Sequence, residues 1–197
     1  SGLGRGGRVE QHPSVRDEPQ TNMTPLPSEA IQPESRAAWR EWLERNHDRS
    51  TGIWLVSYKR ATGKPRVDYE DAVEEALCFG WIDSTARRLD DERSMIRFTP
   101  RKPKTVWAAS NKRRVERLLA AGLMRSPGLA KVEQAKTDGS WNLLDSAENL
   151  EIPADLAAAL AAYPPAAANF VSFPDSVKKA ILGWIEPAKR LETRAAR

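Results

Sequence analysis

Two carboxylates sit in apolar stretches of the chain: Glu75 precedes Ala76-Leu77-Cys78-Phe79, and Asp83 follows Trp81-Ile82. Desolvation raises a carboxyl pKa unless a cation or hydrogen bond compensates, and carboxyls tuned in this way serve proton transfer. Glu75 and Asp83 are therefore the candidate general acid and base of a metal-independent enzyme. An alternative reading stands beside it, in which each is a buried structural ion-pair partner or a backbone-capping carboxylate. Arg101 or Lys102 could supply the compensating charge. The two acids and that basic stretch are then expected to converge in a sheltered, deep concavity at one end of a sheet.

The basic residues are concentrated. Between Arg87 and Arg117 there are eleven Lys or Arg and four acids, a surplus of seven against +4 for the whole chain. Arg101, Lys102 and Lys104 lie on a proline-bounded loop leading into a helix, whose N-terminal amides and dipole favour an anion. Trp107 and Asn111 stand four apart on that helix and project to the same side, next to Lys112. Trp81, Arg101, Lys102, Trp107, Asn111 and Lys112 thus form the candidate binding set for a small anionic or planar ligand, with Trp141 a further wall. The plainer reading is a solvated helix face paired with Glu116 and the Asp90 to Glu92 turn. A nucleic-acid-binding module through residues 87–117 is the other macromolecular reading. It is opposed by the modest net charge and by the lack of a recognisable binding signature.

Other chemistries find little support. One cysteine and two histidines are too few for a Cys/His zinc site, and no disulfide can form within the chain. Cys78 reads as an inert core thiol between Leu77 and Phe79, and His47 as a residue closing a helix. Walker A, GxGxxG, GxSxG and HExxH patterns are missing, so no metal and no cofactor is implied.

Positioning these residues requires a packed scaffold, and 197 residues with 40% hydrophobic and 29% charged side chains supply one without metals or disulfides. Residues 1–33, rich in Pro and Gly without apolar periodicity, are expected to be a mobile tail. An α+β core is expected over 34–147. Trp39, Trp42 and Leu43 predict a helix ending near Asn46, and Ile53 to Tyr58 a strand. Ala72, Val73, Ala76 and Leu77 lie on one face of a helix closed by Gly80. Trp81 to Arg88 and Ser94 to Thr99 predict an antiparallel hairpin, followed by helices over about Val106 to Ala121, with Val115, Leu118 and Leu119 inward, and from Ser126 to Gly139. The sheet is small, antiparallel and of about three strands flanked by helices. Residues 148–197 read as a helical C-terminal subdomain, with Val177, Ile181, Trp184 and Ile185 on one face of its last long helix. An exposed patch at Trp184 and Ile185 would favour a protein-binding role. No apolar run is long enough to span a membrane and the first residues carry no leader-like stretch, so a cytoplasmic location without membrane insertion is expected.

Several motifs occur together. Glu75-Ala76-Leu77-Cys78-Phe79-Gly80-Trp81-Ile82-Asp83-Ser84, then Phe98-Thr99-Pro100-Arg101-Lys102-Pro103, then Trp107, Asn111-Lys112 and Val115-Glu116 follow in order. Ala135-Lys136, Asp138-Gly139, Trp141, Trp184-Ile185-Glu186, Ala188-Lys189 and Glu192-Thr193-Arg194 complete the set. In these the chain resembles the YdeI/OmpD-associated family of small bacterial proteins, over roughly Trp39 to Arg194. The resemblance implies a stress or antimicrobial-resistance factor, linked to bacteriocin protection and to resistance against cationic antimicrobial peptides, and often assigned to the periplasm. It carries no catalytic mechanism. A protein with a pI near 9.3 repels a cationic peptide at long range, so indirect protection is the expectation.

Overall fold

The computed structural model describes residues 24–197. The first helix, α1 (Arg36–Asn46), starts where Ser35 caps it, its hydroxyl accepting from the Ala38 amide at 3.2 Å. The strand β2 (Ile53–Tyr58) and the helix α2 (Tyr69–Cys78) follow. The hairpin of β3 (Trp81–Arg88) and β4 (Arg93–Pro100) comes next, with Asp90 Oδ1 accepting from the amides of Glu92 and Arg93 to close its turn. The α+β class expected from the sequence is the one observed.

Among the described residues the sheet has four strands, against the three or so expected. Ala30–Ile31 forms β1, which pairs in parallel with β2 and fixes the order β1-β2-β4-β3, the other pairings being antiparallel. Two residues carry no readable alternation, which is why the sequence hides this strand. The expected tail over 1–33 lies outside the described residues as far as 23. From Thr24 onward the chain is anchored: the Arg93 guanidinium, 2% exposed, donates to Thr24 O at 2.7 Å and Gln32 Oε1 at 3.2 Å.

One face of the sheet carries the main core. Ile53 and Leu55 of β2 and Phe98 of β4 meet Trp39 and Leu43 of α1 and Ala72, Val73, Ala76 and Leu77 of α2. Trp39 is fully buried and donates its indole N–H to Ala72 O at 3.0 Å, so the largest apolar side chain also has its polar atom satisfied. Two helices complete this layer: α3 (Ala109–Ala120), through Val115 and Leu118, and α4 (Ser126–Asp138), through Val132 and Ala135. The structure corrects the inward assignment of Leu119, which is 44% exposed, and starts α3 three residues later than expected, because residues 101–108 wind around a buried Trp107.

The chain continues through the short α5 (Asp145–Glu148), α6 (Ala154–Ala162), α7 (Pro164–Ser172), α8 (Asp175–Ile185) and α9 (Leu191–Ala195). Ala147, Phe170 and Leu182 form a second hydrophobic cluster. On α8 Leu182 and Ile185 are buried, whereas Trp184 is 54% exposed and faces outward.

The layer is pinned at two points. Glu75 is 3% exposed and bridges two helices, accepting from Arg36 Nε at 2.6 Å and Arg40 Nη1 at 2.5 Å. At the C-terminal end of α2, within a turn of Glu75, α4 crosses so closely that a Cβ on Gly128 would collide with the carbonyl oxygens of Cys78 and Leu77. Two predictions follow from these contacts. Glu75→Gln strands two guanidiniums that keep part of their surface in water, so it should cost about 2–3 kcal/mol in urea unfolding, below the full cost of a wholly buried pair. Gly128→Ala should cost about 1–3 kcal/mol through overpacking and should separate α4 from α2, read as lost amide protection at the Arg125 N–H, which donates to Cys78 O.

Candidate anion-binding site

The acids on α2 decide which of the basic residues remain free. Glu70 accepts from Arg114 at 2.8 Å and Arg117 at 3.3 Å, Glu74 pairs with Arg117 at 2.8 Å and Arg36 at 3.1 Å, and Asp71 with Arg36 at 2.6 Å. Elsewhere in the basic segment Arg88 pairs with Asp91, Arg93 with Asp90, Arg97 with Glu29 and Lys112 with Asp145. Among the described residues this leaves Arg87, Arg101, Lys102, Lys104 and Arg113 without an acidic partner. The expected Asp90 to Glu92 turn does supply partners, through Asp90 and Asp91, whereas the others come from α2, Glu29 and Asp145 and none from Glu116 among the described residues.

Arg101 is the exceptional member, because it is 4% exposed. Its backbone N–H donates to Gly80 O at 2.9 Å, so the β4 end is held against the α2–β3 corner. Its guanidinium lies over the Trp107 ring at 3.6 Å and donates once, to Val106 O at 2.8 Å. Burial pushes the Arg101 pKa down to about 10, against the ordinary 12.5, with only the more distant Asp83 charge acting the other way. A cation–π contact worth roughly 0.5–2 kcal/mol replaces part of the lost hydration, and no carboxylate replaces the rest.

Around it lies a small hollow of about 10 Å³, bordered by Arg101, Lys102, Lys104, Trp107, Lys131, Asp138 and Ser140. This is room for one oxygen-sized atom, which corrects the expectation of a deep concavity. Lys104 adopts a left-handed φ of 60°, uncommon for a side chain of its size, and its amide is tied to Asp138 Oδ2 at 3.0 Å. Asp138 Oδ1 accepts from the Ser140 amide at 2.9 Å, while the buried Ser140 hydroxyl has no hydrogen-bond partner among the described residues. With four cations against one carboxylate the rim is strongly positive. Sequence reading missed Lys131, Asp138 and Ser140. The only signal was the Asp138-Gly139 step, whose glycine takes a φ of 79° at the end of α4.

The remaining candidates are placed elsewhere. Glu75 is taken up by Arg36 and Arg40, so the expected convergence of both acids on the basic loop does not form. Asp83 accepts from the Tyr69 hydroxyl at 2.9 Å, and burial together with that bond pushes the Tyr69 pKa up. Trp81 is fully buried, donates to His47 O at 3.0 Å and packs edge-on to Trp42, which makes it core rather than pocket wall. Trp107 is 2% exposed, with Arg101 on its ring and Trp141 at 4.9 Å, so no planar ligand can stack on it. Asn111 accepts from Arg114 at 2.8 Å. Lys112 reaches Asp145 at 2.5 Å and Trp141 O at 3.2 Å, a strut between α3 and α5. The first turn of α3 does not border the hollow, so the expected helix-dipole contribution is not made there. Cys78 is buried and burial raises its thiol pKa, as expected of a core thiol. The apolar patch envisaged at Trp184 and Ile185 is half formed: Ile185 is buried and Arg197 covers the Trp184 ring at 5.2 Å.

Residues 31–131, which carry the sheet, the first three helices and half of α4, match the model of a family described as a domain of unknown function, DUF8412. The chain belongs to this family. Outside the stretch matched by DUF8412, residues 149–197 match a second model, described as bacteriocin-protection, YdeI or OmpD-associated, in agreement with the resemblance carried by the sequence motifs. No curated protein and no solved structure matches the chain. The DUF8412 match contains the main core cluster apart from Val132, Ala135 and Trp141, and the second match holds Phe170 and Leu182 of the smaller one. The hollow draws Lys131 and its neighbours from the DUF8412 segment and Asp138 and Ser140 from just beyond it. Among the described residues no helix is long and apolar enough to cross a membrane.

The ion pairs of α2 and of the β3–β4 turn set an acid limit on stability. Hydrogen bonds from Arg114 hold Glu70 below its ordinary 4.5. Asp90 is pushed up by burial, but Arg93 and two backbone amides outweigh this and leave it below 3.8. Both contributions are complete above the ordinary values and are lost as pH falls through the lower folded-state values. The urea midpoint should therefore hold steady from pH 7 to 5 and drop from about pH 4 downward, with a shallower drop in Glu70→Gln.

Proposed function

We propose that the protein binds a small oxyanion at the Arg101 hollow, acting as a stress or antimicrobial-resistance factor through that ligand rather than by capturing a cationic peptide. The observation that carries this reading is Arg101: a guanidinium 4% exposed, with one hydrogen bond and no acidic partner among the described residues. An anion is the group that would complete its pairing. The hollow admits one oxygen atom, and Lys102, Lys104 and Lys131 border the mouth where the remaining oxygens of a tetrahedral, phosphate- or sulfate-like group would lie. A charge-assisted bond to a desolvated guanidinium is among the stronger polar contacts available, roughly 1.5–3 kcal/mol. The bacteriocin-protection description of the family matched at residues 149–197 supports the biological setting.

The nucleic-acid alternative is less well supported, because six of the eleven cations between Arg87 and Arg117 are engaged with acids of this chain. Those acids would repel a phosphate backbone.

Titration calorimetry and thermal melts with inorganic phosphate and sulfate test the proposal. Saturable binding is expected, with a melting temperature that climbs with anion concentration by mass action. In Arg101→Met the affinity should fall at least about ten-fold, the equivalent of one such bond, while the melting temperature without anion holds or rises because a buried charge is gone. Binding should change little between low and moderate salt, unlike phosphate-backbone association. Equal anion response in wild type and Arg101→Met would sink the reading.

A further inference from the structure

A second cavity lies at the opposite end of β4 from Arg101, seven residues away and therefore roughly 24 Å along an extended strand. It has a volume of about 130 Å³ and opens between the sheet and the approach to α2, with Leu55, Ser57, Lys59, Val67, Ser94 and Ile96 among its walls. Leu55 pairs with Ile96 and Ser57 with Ser94, so two apolar side chains followed by two hydroxyls project from adjacent strands toward the same helix layer. Val67 is 3% exposed and extends the apolar floor. The Ser57 hydroxyl is shut off from solvent and has no hydrogen-bond partner among the described residues.

The charges at this cleft differ from those at the Arg101 hollow. Arg66 is neutralised by Asp68. Lys59 has no acidic partner among the described residues: its Nζ donates to two carbonyls, Asp91 O at 2.7 Å and Asp90 O at 3.3 Å, which leaves one of three N–H donors free. The carbonyls hold the ammonium in place without cancelling its charge. The cleft therefore joins an apolar floor, a pair of hydroxyls and a single net positive charge. A volume of about 130 Å³ is close to the roughly 150 Å³ apolar cavity that admits benzene. The complementary guest has one negative charge and an apolar body of ring size.

We infer that the Ser57–Ser94 cleft binds a small monocarboxylate with an apolar body, the carboxylate meeting Lys59 and the body lying over Leu55, Val67 and Ile96. This site is independent of the oxyanion reading above.

Amide chemical-shift titration of the full chain with benzoate tests it, with benzyl alcohol as the uncharged probe of the same shape. Benzoate should give saturable shifts confined to residues 55–59, 66–72 and 94–96, and benzyl alcohol should bind at least about ten-fold more weakly, as expected for one charge-assisted bond. Lys59→Met, which keeps the aliphatic stem, should weaken benzoate to the level of benzyl alcohol. Ser94→Leu should fill the cleft and abolish binding while distant resonances keep their positions, and Arg101→Met should bind benzoate as the wild type does. Non-saturating shifts, shifts centred on the Arg101 loop, or equal affinity for benzoate and benzyl alcohol would each overturn the assignment.

Discussion

Four carboxylates on one helix organise this protein. Glu70, Asp71, Glu74 and Glu75 project from α2 and engage Arg36 and Arg40 of α1 on one side and Arg114 and Arg117 of α3 on the other. The core side of the same helix carries Ala72, Val73, Ala76 and Leu77 into the sheet. Hydrophobic burial sets the layer spacing, and the ion pairs set how α1 and α3 lie along it. Most of these pairs are partly solvated and worth little one by one, but Glu75 is closed off from water and ties both of its arginines to α2. The same arrangement consumes acids. With these carboxylates committed, Arg101, Lys102 and Lys104 on the loop after β4 form no ion pair among the described residues.

That loop gathers uncompensated charge because the backbone leaves it no choice. The Arg101 amide is bonded to Gly80 O, Gly80 holds a left-handed φ of 76°, and the close crossing at Gly128 sets α4 across this corner. The guanidinium is trapped between Trp107 and the wall bearing Lys131 and Ser140, with too little space for water to hydrate it fully. Asp138 is near, but both of its oxygens accept from backbone amides, where they hold Lys104 in its unusual conformation instead of neutralising Arg101. A cation kept desolvated while the carboxylate on the same rim does other work is costly for a structural element. An anion ligand would recover part of that cost.

The C-terminal helices rest on a separate cluster around Ala147, Phe170 and Leu182. Their link to the sheet layer runs through Lys112, which reaches from α3 to Trp141 O and Asp145, and through the Trp107–Trp141 contact. The wall of the hollow is thereby continuous with the base of the helical segment. Trp184 and Val171, 54% and 74% exposed, show how loosely apolar residues are distributed there compared with the sheet layer. Alanine-rich helices such as α6 offer too little side-chain volume to bury a wide face.

The sequence alone determined the elements with strong local signals. The helix beginning after Ser35, the strand Ile53–Tyr58, the hairpin on either side of Asp90 and the helix closed before Gly80 are all readable, because each rests on spacing, capping or turn chemistry within a few residues. It also marked Arg101, Lys102 and Trp107 as neighbours, since they share one short loop. Only the tertiary structure decided which charges meet. Glu75 and Arg101 are both buried and 26 positions apart, yet α1 approaches α2 from the side of Glu75 and supplies two arginines before the loop can. Electrostatic partners depend on three-dimensional distance, and composition counts a surplus without saying where acids from other elements cancel it. Strand β1 and the full rim of the hollow stayed hidden for the same reason: their residues are joined by contacts across the fold, not by pattern along the chain.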